Sequence, residues 1–457
     1  MERFSRKNRS NAKARSRRLN IRPGELAKRS NLQAIAFGLR SVTVDADALL
    51  RPAFAKKAER FLRLPPYRIH AKWEEGTLRF GPSIAVYALP GKSSAFGAQT
   101  QLFKEMALLA KKQGIDLFVL TPGHLQYEQR QSFGYRYHSK QRKWRMEVCP
   151  WPDFVWRRTV YRPLRLQNLM DVDEKLLGQT SVVGTLPRDQ SEKWILHVLL
   201  SQFPSMFPFL LPTLLVQTPH DLVNAVRQLG DVYLKPVRGT QGQQIVRIAS
   251  LASGYVVQRA QGRLVHNAQG EILATDYDLQ SRFGRLAVTS PFIAQRTVDM
   301  MRTIYDEPFD MRYLIQASIE NGGNPICTGI VARVAQSEAI TTNLHTGAVP
   351  FRLSELQDRI PPRLLPFFQQ AVERGKQAAL SAFSAVSTQH KELAELGVDI
   401  AFDRNGRVFV LEVNPCPGRQ MFRRIDPQIR RLSLQRILEY AVFSTGFLRS
   451  VKGADPR

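Results

Sequence analysis

The stretch that most constrains the fold is VDIAFDRNGRVFVLEVNP, at residues 398–415. The Arg-Asn-Gly turn at 404–406 separates two runs rich in β-branched residues, a pattern that predicts a β-hairpin. Valine, isoleucine or leucine occurs on both faces of the runs, so the hairpin is expected in a core and not at the surface. Any fold open to this chain must therefore bury a pair of strands near its C-terminus.

Three oxygen-bearing side chains interrupt this apolar hairpin: Asp399, Glu412 and Asn414. Glu412 and Asn414 are two residues apart, so they project from the same face of one strand. Pairing across the turn can bring Asp399 alongside them. A carboxylate in such an apolar setting needs a partner, and Mg²⁺ takes one or two carboxylates together with substrate phosphates. The trio is predicted to bind Mg²⁺, with a solvated polar face as the alternative.

A second polar motif is YLKPVRGTQGQQIVRI, at residues 233–248. It indicates a strand that delivers Lys235, a glycine-containing loop whose backbone N–H groups can face phosphate oxygens, and another strand. The loop residues proposed to contact phosphate are Gly239, Thr240, Gln241 and Gly242. The pattern matches neither a P-loop nor a dinucleotide fingerprint, and alone it fits an ordinary hairpin equally well. Together with a magnesium site, it predicts a nucleoside triphosphate as the ligand.

Charged residues also occur on two other predicted strands. FDMR at 309–312 puts Asp310 and Arg312 on one strand face, where a structural ion pair and a role in binding the acceptor or a phosphate are both open. Arg333 lies in the apolar strand GIVARVA. A buried arginine needs an anion from the protein or from a ligand, and a phosphate contact is predicted for Arg333.

Patterns elsewhere favour an α/β protein. A buried strand from Ser83, a helix over Gln101–Gln113 and a second buried strand follow one another, which predicts a parallel α/β unit. Short apolar stretches at 31–82 indicate a small β-rich segment. Alternating residues at 254–296 predict a meander of strands, and residues 362–382 predict a long helix.

The chain is strongly basic, with 66 Lys and Arg against 39 Asp and Glu, a formal net charge of +27. This excess predicts an anionic partner: a nucleotide, a nucleic acid or another acidic surface. Residues 1–30 carry 11 of the basic residues and 2 of the acidic ones, and are expected to form a disordered basic arm. The arm is predicted either to contact a polyanion or to be a solubilising tail.

The cysteine content argues against two classes of small module. Cys149, Cys327 and Cys416 lie far apart and form no CxxC pair, so neither a zinc module nor a disulfide scaffold is expected. A reducing, cytoplasmic location fits this content. The most apolar run, at 195–217, is interrupted by three prolines, so no transmembrane helix is predicted.

Taken together, Lys235 with its glycine loop and the later Asp399, Glu412 and Asn414 resemble the ATP-grasp superfamily. Within it, the chain resembles the YheC/YheD family, which is described as endospore coat-associated. Short matching stretches occur in order over about residues 78 to 420. They include LRFGPSIAVY at 78–87, PWPDFVWRR at 150–158, YLKPVRGTQG at 233–242, FDMRYLIQ at 309–316, GIVARVAQ at 329–336 and TTNLHTGA at 341–348.

This resemblance implies roles for single residues. Lys193 and Lys235 would contact the nucleotide, and the Asp399, Glu412 and Asn414 trio would bind Mg²⁺, with Mn²⁺ as a substitute. The backbone that meets adenine would be the hinge Phe292, Ile293, Ala294 and Gln295. The catalytic residues would be Lys235 and Arg333, with Arg333 near the transferred phosphate, and Asn343 would be a polar contact in the acceptor region. Asp310, Arg312 and Arg333 are the further candidates for binding the substrate. The chain departs from the family pattern at Gln244, usually Gly, and at Gln295, often Glu.

The resemblance also implies an architecture: an α/β protein in which an ATP-grasp fold of α+β subdomains follows a pre-grasp domain. The expected segments are a basic arm at 1–30, a small β-rich segment at 31–82, a pre-ATP-grasp α/β domain at 83–185, an ATP-grasp domain at 186–447 and a tail at 448–457.

The implied activity is that of an ATP- and Mg²⁺-dependent ligase. Such an enzyme activates a carboxylate as an acyl phosphate for attack by an amine, a thiol or another nucleophile. The acceptor is not identified by the sequence, although the basic charge suggests an acidic one. The alternative is a non-catalytic structural or assembly protein of the spore coat that keeps the fold. A nucleic-acid binder is a third reading, supported by charge alone.

Overall fold

The computed structural model describes most of the chain between Leu32 and Phe447. The described residues are 32–44, 57–58, 60–65, 67–92, 94–159, 163–239, 245–259, 270–289, 291–342, 344 and 347–447. The predicted basic arm and C-terminal tail lie outside them. So do four of the predicted site residues: Thr240, Gln241, Gly242 and Asn343.

The first sheet is small and lies within the predicted β-rich segment at 31–82. Its strands are β1 (Ala34–Phe37), β2 (Arg40–Thr43), β3 (His70–Glu74) and β4 (Thr77–Gly81). They are ordered β2-β1-β4-β3, and only β1 and β4 run parallel. Phe37, Leu62 and Leu78 are buried in its core, so the segment has an apolar centre of its own.

The second sheet has six strands and contains the predicted parallel unit. Its strands are β5 (Ser83–Tyr87), β6 (Asp116–Gln126), β7 (Gln131–His138), β8 (Lys143–Pro150), β9 (Phe154–Arg157) and β10 (Val182–Val183), ordered β10-β9-β5-β6-β7-β8. The first four in this order are parallel, as predicted, and β7 and β8 are antiparallel. Helix α1 (Thr100–Gln113) joins β5 to β6, and α2 (Gln167–Thr180) joins β9 to β10.

Helix α3 (Lys193–Leu200) leads into a third sheet, which is antiparallel throughout. Its strands are β11 (Thr213–Val216), β12 (Val232–Pro236), β13 (Val246–Leu251), β14 (Gly254–Arg259), β15 (Glu271–Leu273) and β16 (Phe292–Arg296), ordered β11-β16-β12-β13-β14-β15. Helices α4 (Pro219–Leu229) and α5 (Asp276–Thr289) share one apolar core with this sheet.

Helix α5 corrects the predicted meander at 254–296. The backbone N–H of Asp278 donates to Thr275 Oγ1 at 3.1 Å, and that of Thr275 donates to Asp278 Oδ2 at 3.0 Å. Such a reciprocal pair satisfies N–H groups at the start of a helix. Leu279 and Phe283, four residues apart, are both buried in the core that contains α4. Leu279 and Phe283 therefore lie on one helix face, because residues four apart are neighbours on the surface of a helix.

The fourth sheet holds the C-terminal hairpin. Its strands are β17 (Phe309–Ala317), β18 (Pro325–Val334), β19 (Val349–Phe351), β20 (Glu395–Phe402) and β21 (Val408–Asn414), all antiparallel and ordered β19-β18-β17-β20-β21. The hairpin of β20 and β21 confirms the prediction, and every residue of β20 is buried. The helices around this sheet are α6 (Leu353–Gln357), α7 (Leu365–Ser387), α8 (Gln420–Ile425) and α9 (Pro427–Ser444); α7 is the predicted long helix.

One continuous core joins the second and fourth sheets. Trp156 of β9 is fully buried, and its Nε1 donates to Glu395 Oε1 of β20 at 2.9 Å. The ring of Phe154 packs edge-on against Tyr440 of α9, with 6.4 Å between ring centroids. The carboxyl end of β9 therefore lies against the sheet that holds Asp399, Glu412 and Asn414. The described helices include none long and apolar enough to span a membrane.

Candidate functional site

The strand register brings Asp399, Glu412 and Asn414 together. Asp399 is directly opposite Glu412, and Gly397 is opposite Asn414. Directly paired residues of antiparallel strands share a face, and so do residues two apart on one strand. Asn414 Nδ2 also donates to Asp399 Oδ2 at 3.4 Å. The predicted placement of these three side chains is confirmed, and metal binding by them stays a prediction.

Two arginines hold the carboxylate of Asp399 from the neighbouring strands. Arg312 of β17 contacts both of its oxygens, with Nη2 at 2.8 Å from Oδ2. Arg333 of β18 lies 3.0 Å from the same Oδ2, and its Nε donates to Asp310 Oδ1 at 2.6 Å. Thr342 Oγ1 donates to Asp310 Oδ2 at 2.6 Å. Two carboxylates and two guanidinium groups therefore form one neutral, buried network.

An ion pair and a role in binding were both open for Asp310 and Arg312, and in this network the two residues do not pair with each other. Each of the two residues pairs across the sheet, Asp310 with Arg333 and Arg312 with Asp399. Residues two apart on a strand are about 7 Å apart, since the rise is about 3.3 Å per residue, whereas directly opposite residues are about 5 Å apart. The anion that Arg333 needs is supplied here by the protein.

The arginines keep Asp399 charged. Burial alone would raise the pKa of the Asp399 carboxyl, but Arg312 and Arg333 outweigh burial and hold this pKa below its usual value. Asp399 is therefore an anion at neutral pH. Its negative charge is already balanced before any ligand binds.

The two predicted lysines approach the same face from the third sheet and from α3. Lys193 Nζ lies 3.5 Å from Glu412 Oε1 and donates to the carbonyl of Gly239 at 2.7 Å. Lys235 Nζ donates to Gln295 Oε1 at 2.6 Å. The side chain of Lys235 is close enough to Glu412, Asp399 and Asp310 for their charges to affect its pKa. Two stretches more than 150 residues apart in the chain therefore converge.

Lys235 is the least compensated cation of this group. Burial lowers its pKa to about 8, and the neighbouring Lys193 contributes in the same direction, while Glu412 opposes it. Its hydrogen-bond partner, Gln295, is neutral. An anionic ligand would favour the charged ammonium, which is the behaviour expected of a phosphate-binding lysine.

The hinge predicted from the resemblance lies in a central strand. Gln295 is paired with Thr213 of β11 on one side and Tyr233 of β12 on the other, and Phe292, Ile293 and Ala294 are likewise paired on both sides. Backbone groups of a strand between two partners are used in its ladders. These four residues lie in the described structure with their backbones engaged. A contact between this segment and adenine stays a prediction.

Sequence reasoning missed a second buried charge cluster on the same sheet face. Glu395 is fully buried, two residues before Gly397 and four before Asp399. Besides Trp156, it accepts hydrogen bonds from Arg419 and, at 3.4 Å, from Arg158. Side chains at every second position of a strand share a face, and this spacing relates Glu395 to Asp399 in the sequence. Its partners could not be found this way, since Arg158 is 237 residues away.

The family described as "YheC/D like ATP-grasp" matches residues 187–443, more than half of the chain. The chain belongs to the YheC/D-like ATP-grasp family. Its fold class is accordingly α/β with an ATP-grasp fold, as the resemblance implied.

Two relatives from Bacillus subtilis (strain 168) are described as endospore coat-associated proteins. YheD is 25% identical over 380 residues, which cover 80% of this chain and 80% of YheD. YheC is 21% identical over 334 residues, 71% of this chain and 86% of YheC.

The solved structures that match this chain include a ligase and a synthetase. One is the ATP-grasp ligase PsnB, complexed with a minimal precursor, which matches with a TM-score of 0.46 and 14% sequence identity. The match covers 78% of this chain and 98% of the PsnB chain. The other is the D-cycloserine synthetase DcsG, which matches with a TM-score of 0.48 and 13% sequence identity. The match covers 79% of this chain and 99% of the DcsG chain.

Proposed function

We propose that this chain is an ATP- and Mg²⁺-dependent enzyme of the ligase type. The observation that supports this most is the convergence of Lys193 and Lys235 on the strand face that carries Asp399, Glu412 and Asn414. Cations on one side and metal-binding oxygens on the other match the two needs of a triphosphate: neutralised oxygens and a bridging divalent ion. Membership of an ATP-grasp family supports the same nucleotide.

The residues present fit a magnesium ion held through few protein ligands. Among the described residues, no group of three or more His, Cys, Asp or Glu is placed to hold a metal. A carboxylate on Glu412 and an amide oxygen on Asn414 suit Mg²⁺, which is usually bound by one or two carboxylates plus substrate phosphates. Asp399 would join them while it keeps Arg312 as its partner. The bound ion would neutralise charge on the phosphate oxygens, and Mn²⁺ would serve in the same place.

The chain's own side chains would do the remaining work by charge and position. Lys193 and Lys235 would hold the phosphate tail of ATP. Arg333, fixed by Asp310 and Asp399, would stabilise the charge on the phosphoryl group during transfer. The loop that starts at Gly239 would cover the phosphates with its backbone N–H groups, and the segment from Phe292 to Gln295 would lie beside adenine.

The reaction would have two steps, a phosphoryl transfer followed by an acyl transfer. A carboxylate oxygen of the acceptor attacks the γ-phosphorus of ATP, the bond to the bridging oxygen breaks, and ADP leaves with that electron pair. An amine or another nucleophile then attacks the acyl carbon and releases inorganic phosphate, and the nucleophile gives up a proton. Asp310, Arg312 and Asn343 would contact the acceptor side of this reaction.

A second function is favoured by the names of the relatives. YheD and YheC are both described as endospore coat-associated. We propose association with the spore as a further property of this chain, and a structural role in the coat as the alternative to catalysis. The basic residues at 1–30 would then supply attachment to a polyanion.

The test is ATP binding by the full chain with and without Mg²⁺, measured by calorimetry. Glu412→Ala should weaken Mg²⁺-dependent binding about tenfold to a hundredfold, because a charged ligand contributes about 1.5–3 kcal/mol. Glu373→Ala is the matched control, since Glu373 is an exposed glutamate on α7. Equal binding by the wild type and Glu412→Ala, or none by either, would rule out the proposed site. If ATP binds but no ADP forms with pools of carboxylates and amines, the structural role is favoured.

A further inference from the structure

The bridging loop, residues 335–342, follows β18 and makes contacts on both sides of the candidate site. On the side of the fourth sheet, Thr342 Oγ1 donates to Oδ2 of the buried Asp310 at 2.6 Å. Arg302, in the segment before β17, donates from Nη1 to Ser337 O at 3.1 Å. The loop is therefore tied at two points to the fourth sheet and to the segment that precedes it.

Between these two points, the loop is also held from the third sheet. Tyr233 of β12 donates from its hydroxyl to Ile340 O at 2.6 Å, a contact between residues 107 apart in the chain. The backbone of Tyr233 is paired with Gln295 of β16 and with Arg247 of β13, so the side chain starts from a fixed point inside the sheet. Burial raises the pKa of the Tyr233 hydroxyl to about 12, and the hydroxyl therefore keeps its proton at neutral pH.

The ring of Tyr233 also contacts the nucleotide side of the site. Tyr233 and Lys235 are two residues apart on β12, so their side chains project from the same face of the strand. Lys235 Nζ lies 5.8 Å from the centroid of the Tyr233 ring. An ammonium group within this distance is attracted to an aromatic face. A phosphate bound to Lys235 would keep its ammonium charged, and the charge would strengthen this contact.

These contacts form a continuous path between the two sheets. The path runs from Lys235 to the ring of Tyr233, and from the Tyr233 hydroxyl to Ile340 O. Two residues further along the loop, Thr342 extends it to Asp310 of the buried ion network. A change at the lysine can therefore reach the opposite side of the site through direct contacts, and its coupling free energy can be measured.

We propose that Tyr233 is a positioning residue that couples nucleotide binding at Lys235 to the order of the bridging loop. Its hydroxyl holds Ile340 against β12, and the loop in turn keeps Thr342 on Asp310 while the nucleotide is bound. The inference rests on the proposed function, because the nucleotide that it couples to the loop is the one proposed for that site. A purely structural hydrogen bond would stabilise the loop equally with and without nucleotide.

The experiment measures amide hydrogen exchange of the bridging loop in the full chain, with and without Mg²⁺ and a non-hydrolysable ATP analogue. Tyr233→Phe removes only the hydroxyl, so without nucleotide the loop should exchange about threefold to tenfold faster than in the wild type. The analogue should slow exchange at least about fivefold in the wild type and less than about twofold in Tyr233→Phe. Tyr255→Phe, on β14, is the matched control, because the Tyr255 hydroxyl contacts Asp276; this variant should behave as the wild type.

Calorimetry with the same analogue separates positioning from direct binding. Because coupling is reciprocal, Tyr233→Phe should weaken binding by no more than the factor by which the analogue slows loop exchange in the wild type. A larger loss, equal to that of Lys235→Met, would make Tyr233 part of the nucleotide site and overturn the inference. Equal effects of the analogue on loop exchange in the wild type and in Tyr233→Phe would also overturn it. If the wild type does not bind the analogue, the proposed function fails, and the comparison without nucleotide still decides whether Tyr233 holds the loop.

Discussion

The two sides of the candidate site differ in how their charges are balanced. On the fourth sheet, Arg312 and Arg333 are paired with Asp399 and Asp310, all four buried and mutually neutral. On the third sheet, Lys235 has a neutral partner and a pKa lowered to about 8. The first side is therefore balanced by its own ions, whereas the second side is the one that we propose an anionic ligand completes. A site of this kind is prepared for a ligand that brings negative charge to the lysines.

The largest effect is expected from breaking the neutral side. Arg333→Met removes the partner of Asp310 and one partner of Asp399, and leaves buried negative charge without compensation. The free energy of unfolding should fall by about 3–5 kcal/mol, measured by urea denaturation. Arg145→Met, an exposed arginine on β8, should change it by less than about 0.5 kcal/mol. A loss below about 1 kcal/mol for Arg333→Met would show that this side is not balanced by its own ions.

The next effect concerns the pH dependence of nucleotide affinity. With a pKa of about 8 in the free protein, Lys235 is mostly charged at pH 7 and mostly neutral at pH 9. A triphosphate favours the charged form, so binding above pH 8 must include uptake of a proton. Affinity for Mg²⁺-ATP should fall about tenfold from pH 7 to pH 9, in proportion to the charged fraction of Lys235 in the free protein. Calorimetry in buffers of different ionisation enthalpy measures the proton directly, and an affinity that stays constant over this range contradicts the assignment.

Replacing Lys235 should change the free energy of unfolding in the opposite direction from replacing Arg333. The pKa of Lys235 is about 8 when folded and near its usual 10.5 when unfolded. Below pH 8 the charged lysine is less favourable in the folded chain, and between these pH values the unfolded chain binds more protons, so wild-type stability rises with pH. Lys235→Met should therefore be at least as stable as wild type at pH 7, with an advantage that shrinks towards pH 10. Thermal unfolding at several pH values checks this, and a large loss of stability at pH 7 would contradict it.

The smallest effect should come from giving Lys235 a charged partner. Gln295→Glu puts a carboxylate at the position of the amide oxygen that Lys235 Nζ now contacts at 2.6 Å. The pKa of Lys235 should rise, and the decline in Mg²⁺-ATP affinity should move to a higher pH. The affinity at pH 7 should change less than about fivefold. If the pH profile of Mg²⁺-ATP affinity stays unchanged, the neutral amide of Gln295 does not explain the lowered pKa of Lys235.

The features that local sequence determines were predicted correctly. The hairpin of β20 and β21 follows from its turn and its apolar runs, and the shared face of Asp399, Glu412 and Asn414 follows from a period of two. The parallel unit from Ser83 follows from the order strand, helix, strand. These patterns need only a few neighbouring residues, so a single sequence contains them.

The features that depend on distant pairing were not predictable in this way. For Asp310 and Arg312 an ion pair and a binding role were both open, and the register with two other strands decides their partners. The segment that forms α5 has a sequence pattern like that of a strand. Its helical form is decided by the packing of Leu279 and Phe283 into the core that contains α4. The hydrogen bond from Trp156 to Glu395 spans 239 residues. In each case the deciding contact is made by an element that lies elsewhere in the chain.

The most direct measurement of the central claim is a double-mutant cycle on Mg²⁺-ATP affinity. Calorimetry would compare wild type, Lys235→Met, Glu412→Ala and the double variant. If both sides hold one triphosphate, each single change weakens binding by about tenfold or more, and the two effects are coupled by about 0.5–3 kcal/mol. Independent, additive effects, or a wild-type chain that does not bind Mg²⁺-ATP, would contradict the claim that these two regions form one nucleotide site.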